Sequence, residues 1–192
     1  MTKFSALLNE VRRCTICASQ LEYGTRPVLQ VHPKAKILIA GQAPGLKVHT
    51  SGVPFDDTSG KRLREWLGLS REEFYDPEKV AILPMGFCFP GSGKTGDLAP
   101  RKECAPAWRE KILAHLNNIE VTIVLGSYAQ KYHMDVTNTS VTDLVKSWKT
   151  YWPDVIPLPH PSPRNNIWLK KNPWFEIELL PRLQERVRES LT

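Results

Sequence analysis

The amino-acid sequence predicts an α/β protein built around a mostly parallel sheet of four strands. Short apolar runs alternate along the chain with stretches of helical periodicity, and this order is typical of βαβ units. Each apolar run ends at a glycine or a proline, and the unusual motifs follow these ends. Open α/β sheets bind ligands at the carboxyl ends of their strands. We therefore expect a functional site at that edge of the sheet.

The first half of the chain predicts two helices and two strands. Residues 3–13 have the apolar spacing of one helix face. Residues 35–40 are an apolar run closed by glycine, which indicates a buried strand. Residues 59–67 show helical periodicity and stop at a glycine, and 80–83 form a short strand cut off by proline. The stretch 86–101 is rich in glycine and proline and is predicted to be a long loop.

The second half continues the alternation of helices and strands. A helix is predicted over 106–116, before the apolar strand 121–125. A glycine then opens a turn into another helix near 127–131. Residues 154–158 are the last predicted strand, and 174–190 form a closing amphipathic helix. The segment between these last two elements is predicted to be a loop.

Length and composition predict one soluble domain. The chain has 192 residues, enough for one well-buried core, and its 41% hydrophobic and 24% charged residues argue against disorder. No apolar run reaches membrane-spanning length, and the N-terminus lacks the apolar core of a secretion signal. We therefore expect a cytoplasmic protein without disulfides and take a monomer as the default. The net charge of +6 suits a polyanionic partner such as nucleic acid.

Four cysteines are the strongest chemical signal in the sequence. Cys14 and Cys17 form a C-x-x-C motif, and Cys88 and Cys104 follow much later. A C-x-x-C on a loop can place two thiolates on a metal centre that remote cysteines complete, either an iron–sulfur cluster or a tetrahedral zinc site. A redox C-x-x-C and four unrelated buried thiols are the alternatives. The spacing by itself leaves iron–sulfur and zinc level.

A proline-rich loop after the last predicted strand carries several polar side chains. It reads Pro-His-Pro-Ser-Pro-Arg-Asn and places His160, Ser162 and Arg164 on a backbone with little freedom to lose. Such a loop suits binding or catalysis. A loop histidine is otherwise most often an ordinary surface or hydrogen-bonded residue, and the prolines weaken that alternative.

Segments after the first predicted strand could also meet a ligand. Gly41-Gln42-Ala43-Pro44-Gly45 allows backbone amides to approach a ligand closely. Downstream, Phe55 and Asp57 precede a helix, although Phe55 could be a core residue and Asp57 or Ser59 a helix cap. The glycine-rich stretch 91–96 lacks the spacing of a phosphate-binding loop and is interpreted as a flexible DNA-facing turn.

Taken together, these motifs resemble the uracil-DNA glycosylase superfamily, from about residue 11 to residue 190. Gly41-Gln42-Ala43-Pro44-Gly45 and His160-Pro161-Ser162 are similar to its two principal motifs. The four cysteines are similar to those of the family-four enzymes, which hold a 4Fe–4S cluster, and the loop through Asn165 resembles that of the single-strand-selective monofunctional enzymes. The resemblance implies a three-layer α/β/α fold, and it places iron–sulfur ahead of zinc.

The resemblance also implies an activity, excision of a deaminated base from DNA in base-excision repair. His160 would donate a hydrogen bond to the departing base as negative charge develops there. Phe55 would stack on the flipped base. Main-chain groups of Gly41, Gln42 and Ala43 would meet its edge.

DNA contacts and a catalytic carboxylate are implied in the same way. Ser162 would grip a phosphate beside the flipped nucleotide, and Arg164, with Asn165 next to it, would enter the space that the base leaves. A carboxylate must face the positive charge that develops on the sugar. Asp57 is the candidate, ahead of Asp56.

Two departures from the family pattern leave the substrate open. Ala43 stands where many of these enzymes carry a water-positioning acid, and Pro84 stands where family-four enzymes carry an asparagine that reads uracil. Hypoxanthine and xanthine are therefore alternative substrates. Two further hypotheses are a catalytically weak iron–sulfur protein that binds nucleic acid or senses damage, and a zinc-stabilised module that binds RNA.

Overall fold

The computed structural model describes residues 2–192 and contains a four-stranded sheet in which every pair of neighbouring strands is parallel. Its strands are β1 (Ile37–Ala40), β2 (Val80–Ile82), β5 (Val121–Leu125) and β6 (Val155–Leu158), in the order β2-β1-β5-β6. A separate antiparallel hairpin is formed by β3 (Ser92–Gly93) and β4 (Gly96–Asp97). The predicted fold class is confirmed.

The helices lie mostly in the connections between strands. They are α1 (Lys3–Arg12), α2 (Leu46–Ser51), α3 (Thr58–Leu67), α4 (Arg71–Phe74), α5 (Glu110–Leu113), α6 (Gly126–His133), α7 (Val141–Lys146), α8 (Trp148–Tyr151), α9 (Asn166–Lys171) and α10 (Leu180–Leu191). Within residues 2–192, no helix has the length and apolar character that crossing a bilayer requires.

Alternation along the strands creates the three layers. Ile37 and Ile39 of β1 belong to the same buried cluster as side chains of α3 and α10. Leu38, between them, belongs to a second cluster with Val11 of α1 and Ile112 of α5. Because successive strand residues face opposite sides of a sheet, each cluster covers one face. The three-layer arrangement expected from the family resemblance is therefore present.

Several predicted helix boundaries were wrong, mainly because the helices concerned are short. The segment between β6 and the closing helix is not all loop, because it contains α9. The expected helix 106–116 is a π-helical turn at 105–109 followed by α5, which ends at Leu113. Hydrophobic periodicity could not reveal α2, α4, α7 or α8, since each spans six residues or fewer. Whether the whole chain is one domain stays a prediction.

Candidate active site

A cavity of about 460 Å³ opens at the carboxyl ends of the strands and gathers side chains from distant parts of the sequence. Every residue that the family resemblance implied for base or DNA contact lines it. These residues are Gly41, Gln42, Ala43, Phe55, Asp57, His160, Ser162, Arg164 and Asn165. The volume lies within the range typical of ligand sites.

The loop after β1 is fixed by its backbone to the segment after β2. Met85 N donates to Gly41 O at 2.8 Å, and Gly86 N donates to Gln42 O at 2.9 Å. The Gln42 side chain is also engaged, since its Nε2 donates to Leu98 O at 2.9 Å. The two backbone bonds extend the pairing of β1 and β2 past the ends of these strands, and they hold the loop at the cavity wall.

Phe55 is held in a strained conformation by a glycine. Its φ of 53° lies in the left-handed region that non-glycine residues rarely adopt. A Cβ added at Gly60 would overlap the Phe55 carbonyl oxygen, so only glycine lets α3 pack this closely. The Phe55 ring reaches toward Gly41 and meets Phe74 edge-on, with 6.2 Å between ring centroids. The close contact between Gly60 and the Phe55 backbone therefore positions the aromatic ring.

Asp57 is both a helix cap and a cavity residue. Its Oδ1 accepts a hydrogen bond from Gly60 N at 2.8 Å and caps α3. Asp56 instead lies 3.5 Å from the Arg71 guanidinium and does not line the cavity. The cap and the site are thus compatible, because capping uses one carboxylate oxygen of two.

His160 follows β6, and two hydrogen bonds fix the backbone around it. Asn165 Nδ2 donates to His160 O at 2.7 Å, and the buried Gln130 donates to Leu158 O at 3.0 Å just before the loop. Burial lowers the pKa of His160 below its ordinary value, although the charges of Asp57 and Asp97 oppose this shift. The imidazole is therefore neutral near pH 7 and carries one N–H donor.

The rest of the proline-rich loop contacts α3 and the hairpin. Ser162 Oγ accepts from Arg164 N at 3.2 Å, and Arg62 of α3 donates to Ser162 O at 3.1 Å. Arg164 Nη1 donates to Thr95 O at 2.9 Å, across the cavity mouth. The Arg164 side chain thus lies against the hairpin here, and entry into DNA would require this bond to break.

The β3–β4 hairpin supplies wall residues that sequence reasoning missed. Thr95, Gly96 and Asp97 line the cavity, whereas the segment was expected only to form a DNA-facing turn. Strands of two residues are too short for alternation to reveal them. Arg62 was also missed, since nothing local to its sequence links it to the histidine loop.

The four cysteines line a second, much smaller pocket of about 20 Å³. Two of their sulfur atoms accept hydrogen bonds from nitrogen donors. Trp108 Nε1 donates to Cys14 Sγ at 3.2 Å, and Phe87 N donates to Cys104 Sγ at 3.3 Å. Remote parts of the chain therefore bring all four thiols together, as the sequence predicted.

Burial makes the Cys88 and Cys104 thiols hard to ionise. It raises the pKa of Cys88 to about 11 and that of Cys104 to about 12, and the neighbouring cysteines add to both shifts. Within residues 2–192, no group of three or more His, Cys, Asp or Glu side chains is arranged to hold a single metal ion. The four thiols nevertheless line one pocket.

Comparison with known proteins identifies the family. The family model of the Uracil DNA glycosylase superfamily matches residues 29–184, which is most of the chain. The chain belongs to the uracil DNA glycosylase superfamily. A type-4 uracil-DNA glycosylase of Thermotoga maritima is 29% identical over 157 residues, covering 79% of this chain and 78% of the relative. One from Saccharolobus solfataricus is 26% identical over 174 residues, covering 84% and 77%.

This uracil DNA glycosylase superfamily member departs from the expected pattern at two cavity positions. Ala43 brings no carboxylate to the wall. Pro84 brings no amide, and its carbonyl oxygen is taken by the buried Arg109, whose Nη1 donates to it at 2.8 Å. Base recognition at that end of the cavity must therefore come from other groups.

Proposed function

We propose that the chain is a monofunctional DNA glycosylase that hydrolyses the bond between deoxyribose and a deaminated base flipped out of DNA. The observation that carries the proposal is the cavity at the strand ends, which joins both family motifs to Phe55, Asp57 and a neutral, half-buried His160. Uracil is the first substrate to consider, because the relatives are named type-4 uracil-DNA glycosylases.

The flipped base is proposed to stack on the Phe55 ring. The backbone of Gly41, Gln42 and Ala43 lines the same cavity and offers amide and carbonyl groups to the base edge. The strained Phe55 backbone, packed on Gly60, gives the ring little freedom to move. Binding then costs little ordering of the ring.

His160 and Asp57 are proposed to stabilise the two charges that separate as the bond breaks. A neutral imidazole can donate a hydrogen bond to a base carbonyl oxygen, and that bond strengthens as negative charge develops on the oxygen. The Asp57 carboxylate, with one oxygen fixed by Gly60 N, offers a stationary negative charge to the sugar. Both groups act by electrostatics, and the nucleophile is water and not a side chain of the protein.

The loop after His160 is proposed to contact DNA. Ser162 would hold a phosphate beside the flipped nucleotide, and Asn165 keeps the loop in place through its bond to His160 O. Arg164 would leave Thr95 and fill the gap in the base stack. The net charge of +6 supports a DNA partner.

We propose that the four cysteines hold a 4Fe–4S cluster. Four thiols in one pocket, with N–H donors to Cys14 and Cys104 and the Arg101 guanidinium beside Cys17, fit the anionic thiolates that such a cluster requires. The likeness of the cysteine pattern to that of the family-four enzymes favours the cluster over zinc. The cluster supplies a structural link between the N-terminal segment and residues 88–104.

Anaerobic purification with metal analysis tests the cluster. A brown protein with iron and sulfide supports it, whereas stoichiometric zinc without visible absorbance would establish the zinc alternative.

Excision assays test the activity and its substrate range. Oligonucleotides that contain uracil, hypoxanthine or xanthine are incubated with the protein, and abasic sites are then cleaved with alkali. We expect cleavage of the uracil oligonucleotide. Preference for hypoxanthine or xanthine would reflect the missing amide at Pro84. No cleavage of any of the three would favour the nucleic-acid-binding alternative, and a zinc-containing protein that binds RNA would favour the third hypothesis.

We further propose that the chain acts as a monomeric, single-domain protein of the cytoplasm. Sedimentation of the purified protein at several concentrations tests the oligomeric state. A concentration-dependent dimer would contradict it.

A further inference from the structure

Asp97 is a carboxylate of the cavity wall to which no role has yet been given. It lies on β4 at the base of the hairpin and is solvent-exposed on one side. We infer that Asp97 activates the attacking water in place of the motif-one acid that Ala43 lacks. This inference rests on the proposed glycosylase function and names the group that delivers its nucleophile.

The position of Asp97 matches the missing acid. A Cβ added at Gly45 would lie 3.3 Å from Asp97 Oδ2, so the carboxylate rests against the backbone of the loop that carries Ala43. The glycine at this point leaves room for it. A carboxylate arriving from the hairpin thus reaches the wall from which an acid at position 43 would project.

Asp97 and Asp57 are bound differently, which suits different tasks. The Asp57 Oδ1 is fixed by a backbone N–H at 2.8 Å, whereas Asp97 Oδ1 meets only the Ser92 hydroxyl among the described residues, at 3.3 Å. A carboxylate held by a main-chain N–H is fixed in position and offers a stationary charge. A carboxylate with free lone pairs facing water can orient and deprotonate it.

Both carboxylates act on the same imidazole. The charges of Asp57 and Asp97 each favour protonation of His160, against its burial. Asp57, Asp97 and His160 also line the same cavity.

Two hydrogen bonds keep the hairpin in this place. Gln42 Nε2 donates to Leu98 O and Arg164 Nη1 donates to Thr95 O, each at 2.9 Å. One bond comes from the first family motif and the other from the loop of the second. Gln42 is thus a positioning residue for Asp97, whereas the Arg164 bond would hold the hairpin only until DNA binds.

The chemical step balances with water as the only co-reactant. The water oxygen forms a bond to C1′ of the deoxyribose while the bond between C1′ and the base nitrogen breaks. The electron pair of that bond leaves with the base, whose carbonyl oxygen receives the hydrogen bond from His160. Asp97 takes the proton of the attacking water and returns it to the base or to solvent. The products are the free base and an abasic site.

Single-turnover excision of uracil tests the inference. We expect Asp97→Asn to lower the rate by about 10²-fold or more, the range of a lost general base. Adding Ala43→Asp to the Asp97→Asn variant should raise its excision rate at least tenfold, because the new aspartate supplies a carboxylate from the loop after β1. The same Ala43→Asp change should not rescue Asp57→Asn, whose proposed role is different.

Asp135→Asn is the matched control, since Asp135 is exposed and its φ of 49° suits asparagine equally well. Binding of the uracil oligonucleotide separates rate from affinity. A normal excision rate for Asp97→Asn, or equal rescue of both aspartate variants by Ala43→Asp, would overturn the inference while leaving the glycosylase proposal intact. Absence of excision by the unmodified chain would overturn both.

Discussion

The cavity at the strand ends and the cysteine pocket are built in opposite ways from overlapping parts of the chain. The cavity holds about 460 Å³ and is lined by polar groups with unused hydrogen-bonding capacity. The cysteine pocket holds about 20 Å³ and is lined by thiols, aromatic and aliphatic side chains. The first leaves room for a ligand from solution, whereas the second is a narrow pocket on which all four cysteines converge.

One segment joins the two regions. Cys88 and Cys104 lie near its ends, and the β3–β4 hairpin between them walls the cavity. A group bound by both cysteines would therefore fix the base of the hairpin that carries Asp97. The comparison teaches that the pocket can affect excision without any chemical part in it.

The largest expected effect is a loss of stability from a change in the cysteine pocket. We predict that Cys104→Ser loses the bound metal and lowers the free energy of unfolding by about 4 kcal/mol or more, a size associated with loss of a metal. For a chain of this length that corresponds to a melting temperature lower by about 8–16 °C. Iron analysis and thermal melts measure both effects.

Thr15→Ala is the control for the cysteine variant, because Thr15 lies exposed between Cys14 and Cys17. It should keep the metal and the melting temperature. A Cys104→Ser protein with its full iron content would end the proposed role of that cysteine.

A change in the cavity should lower the excision rate without affecting the metal content. We predict that His160→Ala lowers single-turnover excision of uracil by about 10²–10³-fold, the usual effect of removing one oxyanion donor. Its iron content and visible spectrum should match those of the unmodified chain. An unchanged rate would show that the imidazole does not face the departing base.

How far the sequence could predict these two regions depends on how local their signals are. The strands, the Gly41 loop and the histidine loop were predictable because apolar runs and prolines are contiguous in sequence. The convergence of four cysteines followed from their family pattern. Asp97 and Arg62 could not be assigned, since their roles arise only when the hairpin and α3 close on loops far away in sequence.

The same limit explains the dual reading of Asp57. Locally its sequence predicts a helix cap, and the structure shows that cap with one oxygen. Asp57 lines the cavity only because β1 and β6 bring their loops beside α3. The sequence predicts the helix cap and the site residue as alternatives, whereas the tertiary structure allows Asp57 to be both.

A glycine behind the aromatic ring gives the next largest effect. We predict that Gly60→Ala destabilises the fold by about 1–3 kcal/mol, the cost of overpacking, because its Cβ would overlap the Phe55 carbonyl oxygen. The displaced Phe55 should also weaken substrate binding. Chemical denaturation and binding assays measure these effects, with Lys61→Ala on the same helical turn as the control. Normal stability would mean that α3 shifts freely, and that Phe55 is not fixed by it.

A smaller effect concerns pH and lies outside both regions. Burial, with the Arg109 charge, lowers the pKa of His133 from 6.5 to about 3, and the Arg109 guanidinium lies 2.5 Å from its Nε2. Between pH 6.5 and about pH 3, His133 therefore binds a proton in the unfolded chain but not in the folded chain. Stability from neutral His133 is complete above its ordinary pKa and is lost as the pH falls toward 3.

His133→Gln tests this sign. Between pH 7.5 and 5.5 the unmodified chain should lose roughly 1 kcal/mol more unfolding free energy than the variant, measured by denaturant titration. Equal losses would show that His133 becomes protonated in the folded protein. Iron content measured at both pH values keeps acid effects on the cysteine pocket separate.

The smallest effect tests which region faces DNA. Lys94 lies exposed at the turn of the hairpin, on the cavity side, whereas Lys149 of α8 lies beyond the opposite, amino-terminal end of β6. A lysine that neutralises one phosphate releases about one counterion. We predict that Lys94→Ala weakens DNA binding a few-fold for any sequence and reduces the salt dependence of log Kd by about one. Lys149→Ala should change neither quantity, and equal effects of the two variants would mean that DNA does not enter from the hairpin side.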